Sequence, residues 1–315
     1  MTPDTQPGSL SLNTMNSMNT RGIFASRRAR VRLWDRIMTG LLWTLAGATA
    51  LLLAALILTI LVRGVGVITL PFLTQANVTG DDVGPEIFNT FYIIGLALLI
   101  CVPIGVGGAV YLVEYARQGR YVTMLRFATE TLAGVPSIIL GLFGFLVFVT
   151  AFGQGSRFGF SRLAAALTLM ILNLPLLLRV SEDALRSVPK ELREASEALG
   201  ATRFQTVSRV LLPAALEPLT TGIILTAGKM IGETAAVIFT GGGNSSINGW
   251  FSLNPLTAGD TLSVHLYELQ AEGVVRNALQ IENGTAAVLI ILLLVFNLGF
   301  RYLAGRLTRR LRGSV

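Results

Sequence analysis

The stretch IFNTFYIIGLALLICVPIGVGGAVYLV, residues 87–113, runs for 27 residues without a charged side chain. A helix rising about 1.5 Å per residue needs about 20 mostly apolar residues to cross the hydrocarbon of a bilayer. This segment is long enough to do so, and it is not alone. Residues 37–62 hold 26 uncharged positions, residues 131–156 another 26 and residues 283–300 a further 18. Of the 315 residues 52% are hydrophobic and 14% charged, against roughly 25% charged in a soluble domain. The expected fold is all-α and membrane-embedded. Six transmembrane helices are read near residues 37–62, 89–113, 127–151, 162–180, 214–240 and 284–304. They must be helices, because lipid offers backbone N–H and C=O groups no other partner.

The 25 Lys and Arg residues orient the bundle. With the N-terminus in the cytoplasm, 20 fall on the inner side and four outside (Arg63, Arg157, Arg162, Arg276), with Lys229 within a span. This is the bias of the positive-inside rule, and it puts both termini in the cytoplasm. It also accounts for the net charge of +7 without nucleic acid as a partner. The first apolar run is too long for a signal-peptide core and lacks a small-residue cleavage site, so it reads as a retained span. Three regions follow: a basic cytoplasmic N-terminus over 1–36, its first 20 residues rich in Ser, Thr, Asn and Met and expected to be disordered; a six-helix membrane domain over 37–304; and a basic tail over 305–315. One cysteine, Cys101, excludes an intramolecular disulfide. One histidine, His265, argues against a His-based metal site, and no cofactor is expected.

Pro103, Pro136 and Pro175 lie inside the second, third and fourth spans. Proline frees a carbonyl and kinks a helix, and such backbone survives at membrane depth only against protein or a water-filled path. Prolines are also common in membrane helices generally. Gly105, Gly107 and Gly108 in span two, and Gly134, Gly141 and Gly144 in span three, suit close helix packing. No internal repeat relates two halves of the chain, which points to a partner subunit.

The inner loop between spans four and five, residues 184–213, carries the densest local signals. Pro189 suits the first turn of a helix, with Glu191 near the positive end of the dipole. The helix runs through Leu199 and stops at Gly200. Thr202 and Gln205 form a T-x-x-Q capping box that opens a second helix, and Pro213 marks the entry to span five. Two capped helices between spans make a rigid elbow projecting into the cytoplasm.

Glu194-Ala195-Ser196, then Gly200, then Val210-Leu211-Leu212-Pro213 resembles the EAA loop of ABC importer permeases of the MetI-like family, E-A-A-x3-G-x9-I-x-L-P. Ser196 stands where that family usually has Ala, and Val210 where it has Ile. The likeness covers roughly residues 86–310 and narrows to the phosphate branch. It is carried by Asn89-Thr90-Phe91, Tyr111-Leu112-Val113-Glu114-Tyr115, residues 130–137, Gly232-Glu233-Thr234-Ala235 and residues 261–267. The last of these is similar to the PstA-type subunit rather than the PstC type. The resemblance implies half of a translocation path in the bacterial cytoplasmic (inner) membrane. It also implies a PstC-like sister permease, a PstB-like ATPase pair and a PstS-like periplasmic phosphate-binding protein. The elbow residues Glu194, Ala195, Ser196, Gly200 and Pro213 would couple to the ATPase. No Walker-type loop is present, so the chain is not expected to be an enzyme and hydrolysis is expected on the partner.

For the substrate path the sequence offers Lys229, Glu233 and Thr234 in span five. Charged groups within a span usually face the bundle interior or an aqueous path. At i and i+4 Lys229 and Glu233 would share one helical face. Lysine would attract an oxyanion, and the carboxylate would accept a hydrogen bond from the proton of hydrogen phosphate while repelling fully ionised sulfate. The same spacing would also allow a plain intrahelical ion pair. A permease for sulfate or molybdate, or an ion-coupled carrier using Glu233, are the competing readings.

Overall fold

The structure is a computed structural model that describes residues 9–75, 82–117, 119–151, 159–242, 252–272 and 278–312. Among these every regular element is a helix. The chain divides into two compact units, Met1–Thr59 and Ile60–Val315. The first is built on α1, Ser9–Val65. That helix starts at Ser9, and residues 1–8 lie outside the described residues. Beyond Pro7-Gly8 no proline interrupts the run up to the span, and each residue added to an established helix gains a hydrogen bond for the backbone it fixes.

The second unit takes in the end of α1 from Ile60 and continues with α2 (Leu70–Thr74), whose N-cap is the Thr69 hydroxyl. It continues with α3 (Gly84–Val110, extended by a wider turn over Tyr111–Tyr115), α4 (Arg120–Ala133), α5 (Ser137–Gly144, widened over Phe145–Ala151) and α6 (Arg162–Arg186). The elbow helices α7 (Lys190–Ala198), α8 (Arg203–Thr206) and α9 (Leu212–Ala214) follow, then α10 (Leu216–Ile231) and α11 (Ala235–Ile238). Helices α12 (Leu262–Glu272) and α13 (Ala278–Arg312) complete the described chain.

Four helices are long and apolar enough to cross a membrane singly, within Trp34–Val65, Gly84–Tyr115, Arg162–Arg186 and Ala278–Tyr302. Two bent pairs bring the number to six when each is counted as one span, which is the six-helix architecture read from the sequence. The third crossing is not one straight helix. Arg120–Ala133 and Ser137–Ala151 meet at 99°. Gly134 caps the first, and Pro136, extended at φ −57° and ψ 137°, opens the second. The fifth crossing bends by 68° at Ala215, between Pro213 and Pro218. It then ends at Ile231 instead of reaching residue 240. The long outer loop also holds a helix, α12, that the sequence reading took as loop. Arg157 and Arg276 lie outside the described residues.

Apolar surface gives helices no reason to associate within lipid, so packing rests on close approach. The core shows how this is met. Helices α3 and α6 lie side by side, with Ile93, Ala97 and Cys101 against Ala165, Leu169 and Leu177, closed by Met230 and Ile231 of α10. Pro103 and Pro175 sit inside these two helices. At Gly144 an added Cβ would overlap the Thr168 side chain, so α5 can approach α6 only with glycine there.

Candidate functional site

Helices α4 and α6 and the end of α10 enclose a cavity of about 770 Å3. From α4 come Arg126, Thr129, Glu130 and Ala133, at i, i+3, i+4 and i+7 on one helical face. From α6 come Pro175, Arg179, Glu182 and Arg186, again one face, and α10 adds Lys229. Four cations thus meet three carboxylates, Glu130, Glu182 and Asp183. Glu182 is occupied: it accepts from Arg126 and from Arg186, each at 3.0 Å, tying α4 to α6. Arg179 and Lys229 have no hydrogen bond or ion pair among the described residues. The cavity therefore presents two uncommitted cations at its wall, which suits an anion.

Lys229 lines this cavity, but Glu233 and Thr234 do not. The expected shared face fails because α10 stops two residues before Glu233: the Gly232 amide turns back to the Lys229 carbonyl. Half-buried in the break, Glu233 accepts the Ser263 hydroxyl on its own backbone carbonyl at 3.2 Å, and the Thr234 hydroxyl donates to the Ser263 carbonyl at 3.5 Å. Among the described residues Lys229 and Glu233 make no ion pair; the Glu233 carbonyl and the Thr234 hydroxyl fasten α12 through Ser263. The carboxylates that do share the cavity with Lys229 are Glu130, Glu182 and Asp183. Arg126, Arg179 and Glu182 were missed. Their signal was available: the charges at 179, 182 and 186 repeat at helical spacing with Pro175.

The elbow has the expected local structure. Helix α7 follows Pro189, Gly200 takes φ +77°, a conformation that favours glycine, and Thr202 and Gln205 form both halves of the capping box. Pro213 lies in the first turn of α9. The Ser196 and Thr206 hydroxyls meet at 2.9 Å, clasping α7 to α8. Arg193 pairs with Glu114 at the end of α3. Beneath lies an apolar cluster including Ala109, Leu185, Val207 and Leu211. The outer face is different: Leu199 is 89% exposed and Phe204 72%.

Apolar crossings around a charged cavity, with a stiff elbow between two of them, define a multi-pass membrane transport component. Residues 102–313 match the family model described as the binding-protein-dependent transport system inner membrane component. The chain belongs to that family and is a permease subunit of an ABC importer. It is 37% identical to a probable ABC transporter permease protein, YqgI, of Bacillus subtilis, over 90% of this chain and 99% of the relative. It is 30% identical to the phosphate transport system permease protein PstA of Haemophilus influenzae, over 75% of this chain and 78% of the relative. Among solved structures it resembles a bacterial alginate ABC transporter in complex with its alginate pentasaccharide-bound periplasmic protein. The TM-score is 0.63 at 18% identity, covering 88% of this chain and 98% of that one, which speaks for the fold.

Proposed function

We propose that this permease is the PstA-type subunit of an ATP-driven phosphate importer. The observation that carries the reading is the pair of uncommitted cations, Lys229 and Arg179, on one cavity with the carboxylate Glu130. A phosphate entering it would gain charge-assisted hydrogen bonds from both cations. Glu130 would accept a hydrogen bond from the O–H of hydrogen phosphate and repel sulfate, which carries no proton at neutral pH. Likeness to PstA proteins supports the same substrate. A sulfate or molybdate permease would need the same cations without the carboxylate beside them.

The partners of this reading are a PstC-like sister permease, completing the path, a PstB-like ATPase pair and a PstS-like binding protein. Residues 37–304 form the permease domain, with the basic tail, 305–315, in the cytoplasm. The elbow, with Glu194, Ala195, Ser196, Gly200 and Pro213, docks on the ATPase through the exposed Leu199 and Phe204 and carries its closure into the bend at Ala215. Hydrolysis occurs on the ATPase subunit.

The test is labelled-phosphate uptake by cells lacking their own high-affinity permease and supplied with this chain and its partners. Excess sulfate is the competitor and ATP depletion the control. Uptake that needs the chain and ATP and ignores sulfate is the expected result. An assembled complex that carries no phosphate overturns the substrate assignment.

A further inference from the structure

At the outer end of the bundle three groups with good metal-binding chemistry converge. Glu86 stands in the first turn of α3, Asp260 just before α12, and His265 in the first turn of α12. One ligand atom from each lies within 4.8 Å of the other two. Their exposures are 6%, 3% and 7%, so the cluster is sealed. Within it Glu86 Oε2 and His265 Nε2 have no hydrogen-bond partner, although buried polar atoms are rarely left so. The surroundings add negative charge, since Asp82 and Glu268 lie close to Glu86. The cation on hand is Arg162, beside Asp260 and fully buried, with Nη1 donating to the Ser252 carbonyl.

We infer that Glu86, Asp260 and His265 bind one divalent transition-metal ion of the Zn2+ class, which fastens the outer segment 260–265 to α3. An imidazole with two carboxylates suits zinc, whereas Ca2+ and Mg2+ prefer oxygen alone. Three protein ligands leave a fourth position for water. Tetrahedral ligands at about 2.0–2.2 Å from zinc lie roughly 3.4 Å from one another. Small side-chain rotations therefore close a site already within 4.8 Å. The two orphaned atoms then have a common explanation. The sequence could not show this trio, because Glu86 and His265 are far apart in the chain and His265 is the sole histidine.

The sole histidine also makes the test clean. The full chain, purified in detergent with the subunits that accompany it and with a histidine-free tag, is equilibrated with Zn2+ and assayed for bound metal. Wild type should hold one more Zn2+ per chain than His265→Gln and Glu86→Gln, with affinity at least tenfold higher. Zn2+ should also raise its unfolding midpoint relative to chelator, a readout that stands if a variant fails to assemble. Equal zinc in wild type and in variants that assemble normally overturns the site, as does a wild-type midpoint indifferent to Zn2+.

Discussion

The inner cavity and the outer cluster are built alike and charged oppositely. Each forms where helices from distant parts of the chain converge, and each gathers groups that a bilayer protein can hardly keep in lipid. At the inner cavity Lys229 and Arg179 stand uncommitted and accessible. At the outer cluster carboxylates and one imidazole are shut away from solvent. Accessibility separates the two roles. An open charge can be balanced by an ion that comes and goes, as transport requires; a sealed charge needs a resident partner.

Removing Arg162, a buried cation beside the outer cluster, should have the largest effect. The Arg162 guanidinium lies over the rings of Phe88 and Tyr92, 5.7 and 5.6 Å from their centroids, and beside Asp260. Arg162→Met removes that buried charge with its hydrogen bond to the Ser252 carbonyl and both ring contacts, together worth about 3–5 kcal/mol. The unfolding midpoint of the purified complex should fall accordingly, and added Zn2+ should recover part of the loss. A midpoint that stays put would mean that the sealed cluster carries no net charge to balance.

The inner cavity should answer in transport and not in assembly. A hydrogen bond to a charged group is worth about 1.5–3 kcal/mol, roughly tenfold to a hundredfold. Lys229→Gln and Arg179→Gln should each lower phosphate uptake by that range while the subunits still co-purify. Lost co-purification would move both cations from the path to the scaffold. A smaller and different effect is expected at Glu130. Glu130→Gln removes the repulsion of sulfate, so sulfate should begin to compete, with phosphate uptake down by about tenfold or less. Glu233→Gln should leave sulfate unable to compete, because that side chain stands outside the cavity. The reverse pattern would return the selective carboxylate to the sequence's first choice.

How much of this was legible in the sequence follows from the range of the interactions. Span number and the elbow are governed by local rules, hydrophobic length and capping, and both were readable; Thr202 and Gln205 cap as their spacing dictates. The broken third and fifth crossings were only half readable. Pro136 and Pro213 advertised irregularity, but the extents of the bends, 99° and 68°, depend on what the helices pack against. The termination of α10 was misread because Gly232 is tolerated in a membrane helix as readily as it caps one. The lesson of Lys229 and Glu233 is that an i, i+4 spacing means a shared face only while the helix continues. The outer trio was illegible, since no periodicity relates Glu86 to Asp260 and His265.

The smallest expected effect calibrates the others. Ser196 and Thr206 join the two elbow helices through a neutral hydrogen bond at 2.9 Å, far from either charged region. Ser196→Ala removes it, and a neutral hydrogen bond contributes about 0.5–1.5 kcal/mol. The Thr206 hydroxyl, 2% exposed as a residue, would lose this partner, which places the loss toward the upper part of that range. In the double variant with Thr206→Val the orphaned hydroxyl is gone too, so the second substitution should cost less than Thr206→Val alone. Unfolding midpoints of the four proteins give the coupling directly. A coupling near zero would mean that the helices are held by the apolar cluster beneath them and that the hydroxyls merely satisfy one another. A coupling as large as that of the buried Arg162 would be more damaging, because it would remove the distinction between neutral and charged contacts on which the contrast of the two regions depends.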